Sequence, residues 1–397
     1  MSERSIGLPE IARVFLKIGA MSYGGPAIMG IMQAELQEKR QWISKEKFVE
    51  GLSLVNMLPG PLATQLGIYI GHEKGGMAGG ILAGFCFILP AFLVMLALSA
   101  VYTAYGALPS LRDAFYGIGP VVLGIFGAAV YRLGRASIKD VSQAIIAAMT
   151  ALAILASPLG FAVTLLAAGC VGVALFHSRQ GGLIALTGVA VACMIVQYLD
   201  MSVLSAVEDG VVAAPGLWDL AVFFFKVGAF SFGGGLSMLA FIQEQVVNHL
   251  AWLTPHEFVD GLALGQLTPG PVLMLAAFVG FKLMGFEGAA VAAAAIFLPS
   301  FLMMLSILPL LKKLGDLKWL KAFMRGAGPA VIGALAASLG QMAPHAAPDA
   351  FTAFLLVATL AIILLRNVGP LPLIGSGALF GIVGRGSLVE LLQDFVG

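Results

Sequence analysis

The chain has 397 residues, of which 59% are apolar and only 11% charged, with a formal net charge of +1. A water-soluble protein carries about 25% charged residues, so this composition cannot cover a globule in water, and the balanced charge argues against a nucleic-acid partner. A mean hydropathy of +0.97 fits lipid as solvent, and backbone groups in lipid must pair within their own segment, so the expected fold class is an all-α polytopic membrane protein.

The N-terminus, MSERSIGLPEIARVF, shows no apolar core followed by a small-residue cleavage site, so no removable signal peptide is expected. Segments 12–35 and 48–72 come next, each broken in the middle, the first at Ser22-Tyr23-Gly24-Gly25-Pro26 and the second at Pro59-Gly60-Pro61. Proline removes a backbone donor and clashes within a helix, and glycine loosens it. Each arm then holds about 12 residues, roughly 18 Å of helix, which reaches about the midplane of a 30 Å hydrocarbon core. Both segments read as re-entrant or broken helical hairpins; for 48–72 an ordinary kinked span is the alternative. Four full spans follow, at 76–102, 113–134, 141–157 and 160–176, and then a further apolar span at 182–199. Residues 200–220 form an acidic linker with Asp200, Glu208, Asp209 and Asp219 and no Lys or Arg.

Beyond the linker the pattern returns. FLKIGAMSYGG at 15–25 falls on FFKVGAFSFGG at 224–234, and FVEGLSLVNMLPGP at 48–61 falls on FVDGLALGQLTPGP at 258–271. Pro90 and Pro120 fall on Pro299 and Pro329, with the offset always 209 or 210. Matched Lys, Ser, Gly, acid and Pro at a steady offset mark two copies of one unit. The organisation is an N-terminal repeat with its unpaired linking span (1–199), the acidic external linker (200–220) and a C-terminal repeat (221–397).

Cytoplasmic loops carry excess Lys and Arg. Loop 36–47 holds Lys39, Arg40, Lys45 and Lys47, whereas its counterpart 244–260 has three acids and no Lys or Arg. Neutral loop 103–113 corresponds to 312–325, which carries Lys312, Lys313, Lys318, Lys321 and Arg325. The exchange of sign predicts two inverted-topology repeats, with the N-terminus cytoplasmic.

A broken helix leaves unpaired N–H groups and partial positive charge at the start of its second arm, a setting that favours anions. The candidate substrate-binding set is therefore Lys17, Ser22, Tyr23, Gly24, Gly25, Asn56, Pro59, Gly60 and Pro61 in the first repeat. In the second it is Lys226, Ser231, Phe232, Gly233, Gly234, Gln266, Thr268, Pro269, Gly270 and Pro271. Lys17 and Lys226 lie inside apolar stretches, where an ionisable residue points to function, although a long stem also lets lysine snorkel to water. Glu50 and Asp260 could pair with these lysines or relay a proton, in coupling or gating, or could cap helices. Glu35 and Glu244 read as solvated helix ends. Cys86, Cys170 and Cys193 lie in apolar runs and read as packing residues, and the five histidines show no metal spacing. No catalytic cluster, nucleotide loop or cofactor motif is present, so an enzyme is disfavoured and no cofactor is expected.

The strings FLKIGAMSYGGP, NMLPGP, FFKVGAFSFGGG and QLTPGP resemble the chromate ion transporter family in its long, two-domain form, over nearly the whole chain. The resemblance implies secondary-active efflux of chromate across the bacterial inner membrane and chromate resistance, with sulfate as a related oxyanion. A transporter or channel for another small dianion is the alternative, and a single chain and a homodimer both fit. The halves differ at one place in the motif, where Gly235 stands opposite Pro26.

Overall fold

The computed structural model describes residues 6–22, 27–55, 58–105, 108–156, 161–190, 215–229, 235–307, 318–366 and 368–396. Among them all regular structure is helical. In the first repeat α1 (Leu8–Met21) is followed by α2 (Ala27–Met32), which runs on as a π-helix (Gln33–Lys39). Then come α3 (Lys45–Val55), α4 (Leu62–Tyr105), α5 (Pro109–Ser137), α6 (Val141–Ala156) and α7 (Phe161–Phe176). Helix α8 covers 179–190; the rest of the expected span to 199, and linker residues 200–214, lie outside the described residues.

The second repeat copies this order. It comprises α9 (Leu217–Ala229), α10 (Gly235–Gln243) with a π-helix (Glu244–His249), and α11 (Pro255–Leu267). A 3-10 turn (Val272–Met274) leads into α12 (Leu275–Ile307), followed by α13 (Lys318–Ala346), α14 (Ala350–Arg366) and α15 (Pro370–Val396). Irregularities repeat as well as helices. Gly75–Gly76 interrupt α4 with φ of −133° and 62°, and Met284–Gly285 interrupt α12 with φ of −141° and 62°. Both π-helices end on a left-handed residue, Gln41 and Ala251.

Among the described residues four helical stretches are long and apolar enough to cross a membrane: Leu62–Tyr105, Pro109–Ser137, Val272–Ser306 and Lys321–Ala346. At 14 residues α1 reaches only about 21 Å at 1.5 Å per residue. The ends of the broken segments come back together. Glu10 at the start of α1 lies 3.7 Å from Arg40, and Lys47 at the start of α3 lies 2.7 Å from Glu73, just before the α4 kink. The Ile6 N–H donates to the Lys74 carbonyl at 3.2 Å, so both chain returns sit at one level.

The repeats interlock instead of standing side by side. Helix α5 packs on α14 and α15 of the other repeat, and α13 packs reciprocally on α6 and α7. Glycine makes these approaches possible. A side chain on Gly117 would strike the backbone of Gly377 and Gly381, and one on Gly326 would strike Ala168 and Gly172, the matched residues. The second arms of α4 and α12 pack on each other, Gly80 against Leu305 and Gly84 against Phe301, so they run antiparallel. Cys86 and Cys170 are buried free thiols, as packing residues would be; Cys193 lies outside the described residues.

Inserting methyl groups at these backbone contacts forces the helices apart. Gly117→Val and Gly326→Val should each cost about 1–3 kcal/mol, read as a lowered Tm in detergent. Gly328→Ala, with nothing within 4 Å of the added carbon, should not lower it.

Candidate functional site

Of the four predicted breaks, the structure brings one from each repeat into contact. Ser22 ends α1, is fully buried, and donates its hydroxyl to the Ile18 carbonyl at 2.5 Å. Its own carbonyl accepts the N–H of Gly270 at 2.5 Å. Gly270 has φ +100°, and a side chain there would come within 2.9 Å of Ala91 on α4. Thr268 is buried and donates to the Leu264 carbonyl at 2.7 Å, Pro269 and Pro271 are buried, and Gln266 is half-buried. Tyr23, Gly24, Gly25, Asn56, Ser231, Phe232, Gly233 and Gly234 lie outside the described residues.

The Pro59-Gly60-Pro61 break meets the other repeat in the matching way. Gly60 adopts φ +129°, and a side chain there would lie 2.5 Å from the Ser300 hydroxyl on α12 and against the Gln65 carboxamide. Gln65 Nε2 donates to the Pro59 carbonyl at 2.6 Å. Thr64, Gln65 and Ser300 are wholly buried, yet Thr64 Oγ1, Gln65 Oε1 and Ser300 Oγ have no hydrogen-bond partner. Sequence reading passed over these three because each looks like an isolated polar residue in an apolar run. The signal was in the repeat: Leu273, Met274 and Ala91 occupy the matched positions.

The charged residues divide differently from expectation. Lys17 is half-exposed and pairs with Glu35 at 3.7 Å, not with Glu50, which is exposed on α3. Glu35 is far from a solvated helix end. Its side chain is 15% exposed, and Lys39 at 3.5 Å and Arg40 at 3.1 Å join Lys17 around it. Burial opposes its charge, but the Arg40 hydrogen bond and the two lysines hold its carboxyl below the ordinary value. Lys226 is exposed on α9. Asp260, the match of Glu50, is half-buried and accepts the Tyr102 hydroxyl at 2.7 Å.

One ion pair occurs in both repeats with its charges exchanged. Lys47–Glu73 closes at 2.7 Å in the first, and Glu257–Lys282 at 2.9 Å in the second. Each ties the start of α3 or α11 to the helix just before its glycine kink. Thr254 and Glu257 also form a reciprocal cap at the start of α11. Among the described residues no group of three His, Cys, Asp or Glu could hold a metal ion.

The family model for chromate transporters matches this chain twice, over residues 9–173 and 218–382. The chain belongs to the chromate transporter family. It is 35% identical to the chromate transport protein of Cupriavidus metallidurans, over 95% of this chain and 93% of that one. A probable chromate transport protein of Synechococcus elongatus is 34% identical over 86% of each chain. The chromate transport protein of Pseudomonas aeruginosa is 32% identical, over 84% of this chain and 81% of that one. No solved structure matches. Each family match takes in a pair of breaks, so this chain carries the family's unit twice.

The Glu257 pair yields a pH-dependent stability with a definite sign. Burial raises its carboxyl, but Lys282 and the Thr254 cap outweigh it and hold the value below 4.5. A depressed carboxyl stabilises the fold above its unfolded value and loses that contribution as pH falls through the folded one. Glu257→Gln should therefore lower Tm at neutral pH, and the gap to the native chain should close as pH falls below 4.5.

Proposed function

We propose that this chain is a secondary-active transporter that exports chromate, a tetrahedral oxyanion, across the cell's inner membrane and so confers chromate resistance. The observation that carries the reading is full-length similarity to proteins named for chromate transport, at 32–35% identity. Among the described residues four helical stretches fit a multi-pass protein, and the relatives are named as transport proteins. A dianion leaving a negative-inside cell gains about 2.3 kcal/mol per charge per 100 mV, so potential alone favours efflux. Sulfate is the second reading, because neutral donors beside a helix break suit any tetrahedral dianion.

Inverted topology is part of the proposal. Matched spans related by an axis along the membrane normal would run parallel, whereas Gly80–Leu305 and Gly84–Phe301 contacts put the second arms of α4 and α12 antiparallel. Re-entrant hairpins are supported by chain ends that return to one level, through Glu10–Arg40 and Lys47–Glu73. The excess of Lys and Arg around residues 39–47 supports a cytoplasmic side for that level and for the N-terminus. In this frame the substrate path follows the breaks, with Ser22–Gly25, Asn56–Pro61, Ser231–Gly234 and Gln266–Pro271 contributing and Lys17 and Lys226 attracting the anion. Glu50 and Asp260 are the coupling or gating carboxylates of the same proposal.

Labelled chromate uptake into inverted vesicles, under an imposed potential or pH gradient and with sulfate as competitor, tests the function. Uptake above empty vesicles, driven by positive potential inside, is the expected result; no flux under any gradient would overturn it. Lys17→Met and Lys226→Met should each cut flux about tenfold, equivalent to one charged hydrogen bond. Unchanged flux would remove the lysines from the path.

A further inference from the structure

We infer that the anion is held at one of the two Pro-Gly-Pro breaks only, the first, by a donor set assembled from both repeats at the start of α4. The inference rests on the oxyanion reading above and says where in the duplicated scaffold that ion sits.

Helix α4 begins at Leu62, and its first internal bond runs from the Gln65 N–H to the Pro61 carbonyl at 3.0 Å. The N–H groups of residues 62–64 therefore precede the helical ladder and have no partner within it. The macrodipole adds partial positive charge at this end. The second observation is independent of the helix. Ser300 comes from α12 of the other repeat, is 0% exposed, and directs an unpartnered hydroxyl at Gly60. Thr64 in the first turn of α4 is equally buried and its hydroxyl equally unpartnered. Gln65 spends one Nε2 hydrogen on the Pro59 carbonyl and keeps a second beside Gly60, while its Oε1 is unpartnered. A buried polar group without a partner costs about 1–3 kcal/mol. The Ser300 hydroxyl and a Gln65 carboxamide N–H meet at a glycine of φ +129°, and the Thr64 hydroxyl and three backbone N–H groups outside the helical ladder follow within the next four residues, a donor set that a small tetrahedral oxyanion would satisfy.

The matched place in the second repeat lacks this equipment. Leu273, Met274 and Ala91 replace Thr64, Gln65 and Ser300. There the Gly270 N–H is already bonded to the Ser22 carbonyl, and Gly270 faces the Ala91 methyl. One break is polar and unsatisfied; its twin is apolar and already bonded, so it borders the path without holding the ion. The duplicated chain thus carries one anion at a time, at a site that neither repeat could build alone.

The repeat itself supplies conservative test variants, since Gln65→Met and Ser300→Ala install the residues that the twin break already accommodates. In vesicles each should raise the chromate KM about tenfold, whereas Ala91→Ser should leave it unchanged. In parallel, the rise in Tm of purified protein with chromate or sulfate should be present in the native chain and lost in both variants; Tm in the absence of anion should be unchanged in Ser300→Ala and lowered in Gln65→Met, which takes the donor from the Pro59 carbonyl. Unaltered KM and unaltered anion-induced Tm shift in both variants would overturn the inference. If the native chain moves no chromate, the function fails; the Tm shift and its loss would still decide whether this is the anion site.

Discussion

A backbone N–H or C=O in hydrocarbon has no water to bond, and every break in a helix at membrane depth must find its partners in protein. The rest of this structure follows from that constraint. Each break creates orphan donors and acceptors, so each must be buried against something that can answer them. The Gly270 N–H finds the Ser22 carbonyl across the repeat boundary, and the Pro59 carbonyl finds the Gln65 side chain. Breaks that serve each other across the boundary make the two repeats mutually dependent.

Interlocking requires close approach, and the glycines deliver it in matched pairs. Gly19 lies on the Phe87 backbone and Gly228 on that of Ile296; Gly117 meets Gly381 as Gly326 meets Gly172. Because α5 and α13 each pack on the other repeat's last two helices, no half of the chain owns a complete core. Charge follows the same two-fold logic with one variation. Lys47–Glu73 and Glu257–Lys282 keep the clamp and exchange its ends, so the geometry survives with its charges reversed.

Departures from symmetry are few and chemically specific. A strict duplicate would bind an ion twice or not at all. Here polar residues on one side of the pseudo-symmetry stand opposite Leu, Met and Ala on the other, and Asp260, bonded by Tyr102, stands opposite an exposed Glu50. Glu35, ringed by Lys17, Lys39 and Arg40, has in Glu244 a twin that instead meets His249 at 3.2 Å. These are differences on a scaffold that otherwise treats the two repeats alike.

The sequence by itself determined the membrane class, the duplication, the two Pro-Gly-Pro breaks and the family, because these depend on local chemistry: apolar run length, the missing donor of proline, and Lys, Gly and Pro recurring at a steady offset. Tertiary structure decided which groups meet. Nothing near Ser22 in the chain announces Gly270, and nothing near Gly60 announces Ser300; both approaches join residues more than 200 positions apart at a glycine. Within the first repeat, the return of the chain after α1 gave Lys17 to Glu35 instead of Glu50. Partner choice across a repeat boundary is set by how two surfaces fit, and local pattern carries no record of that fit.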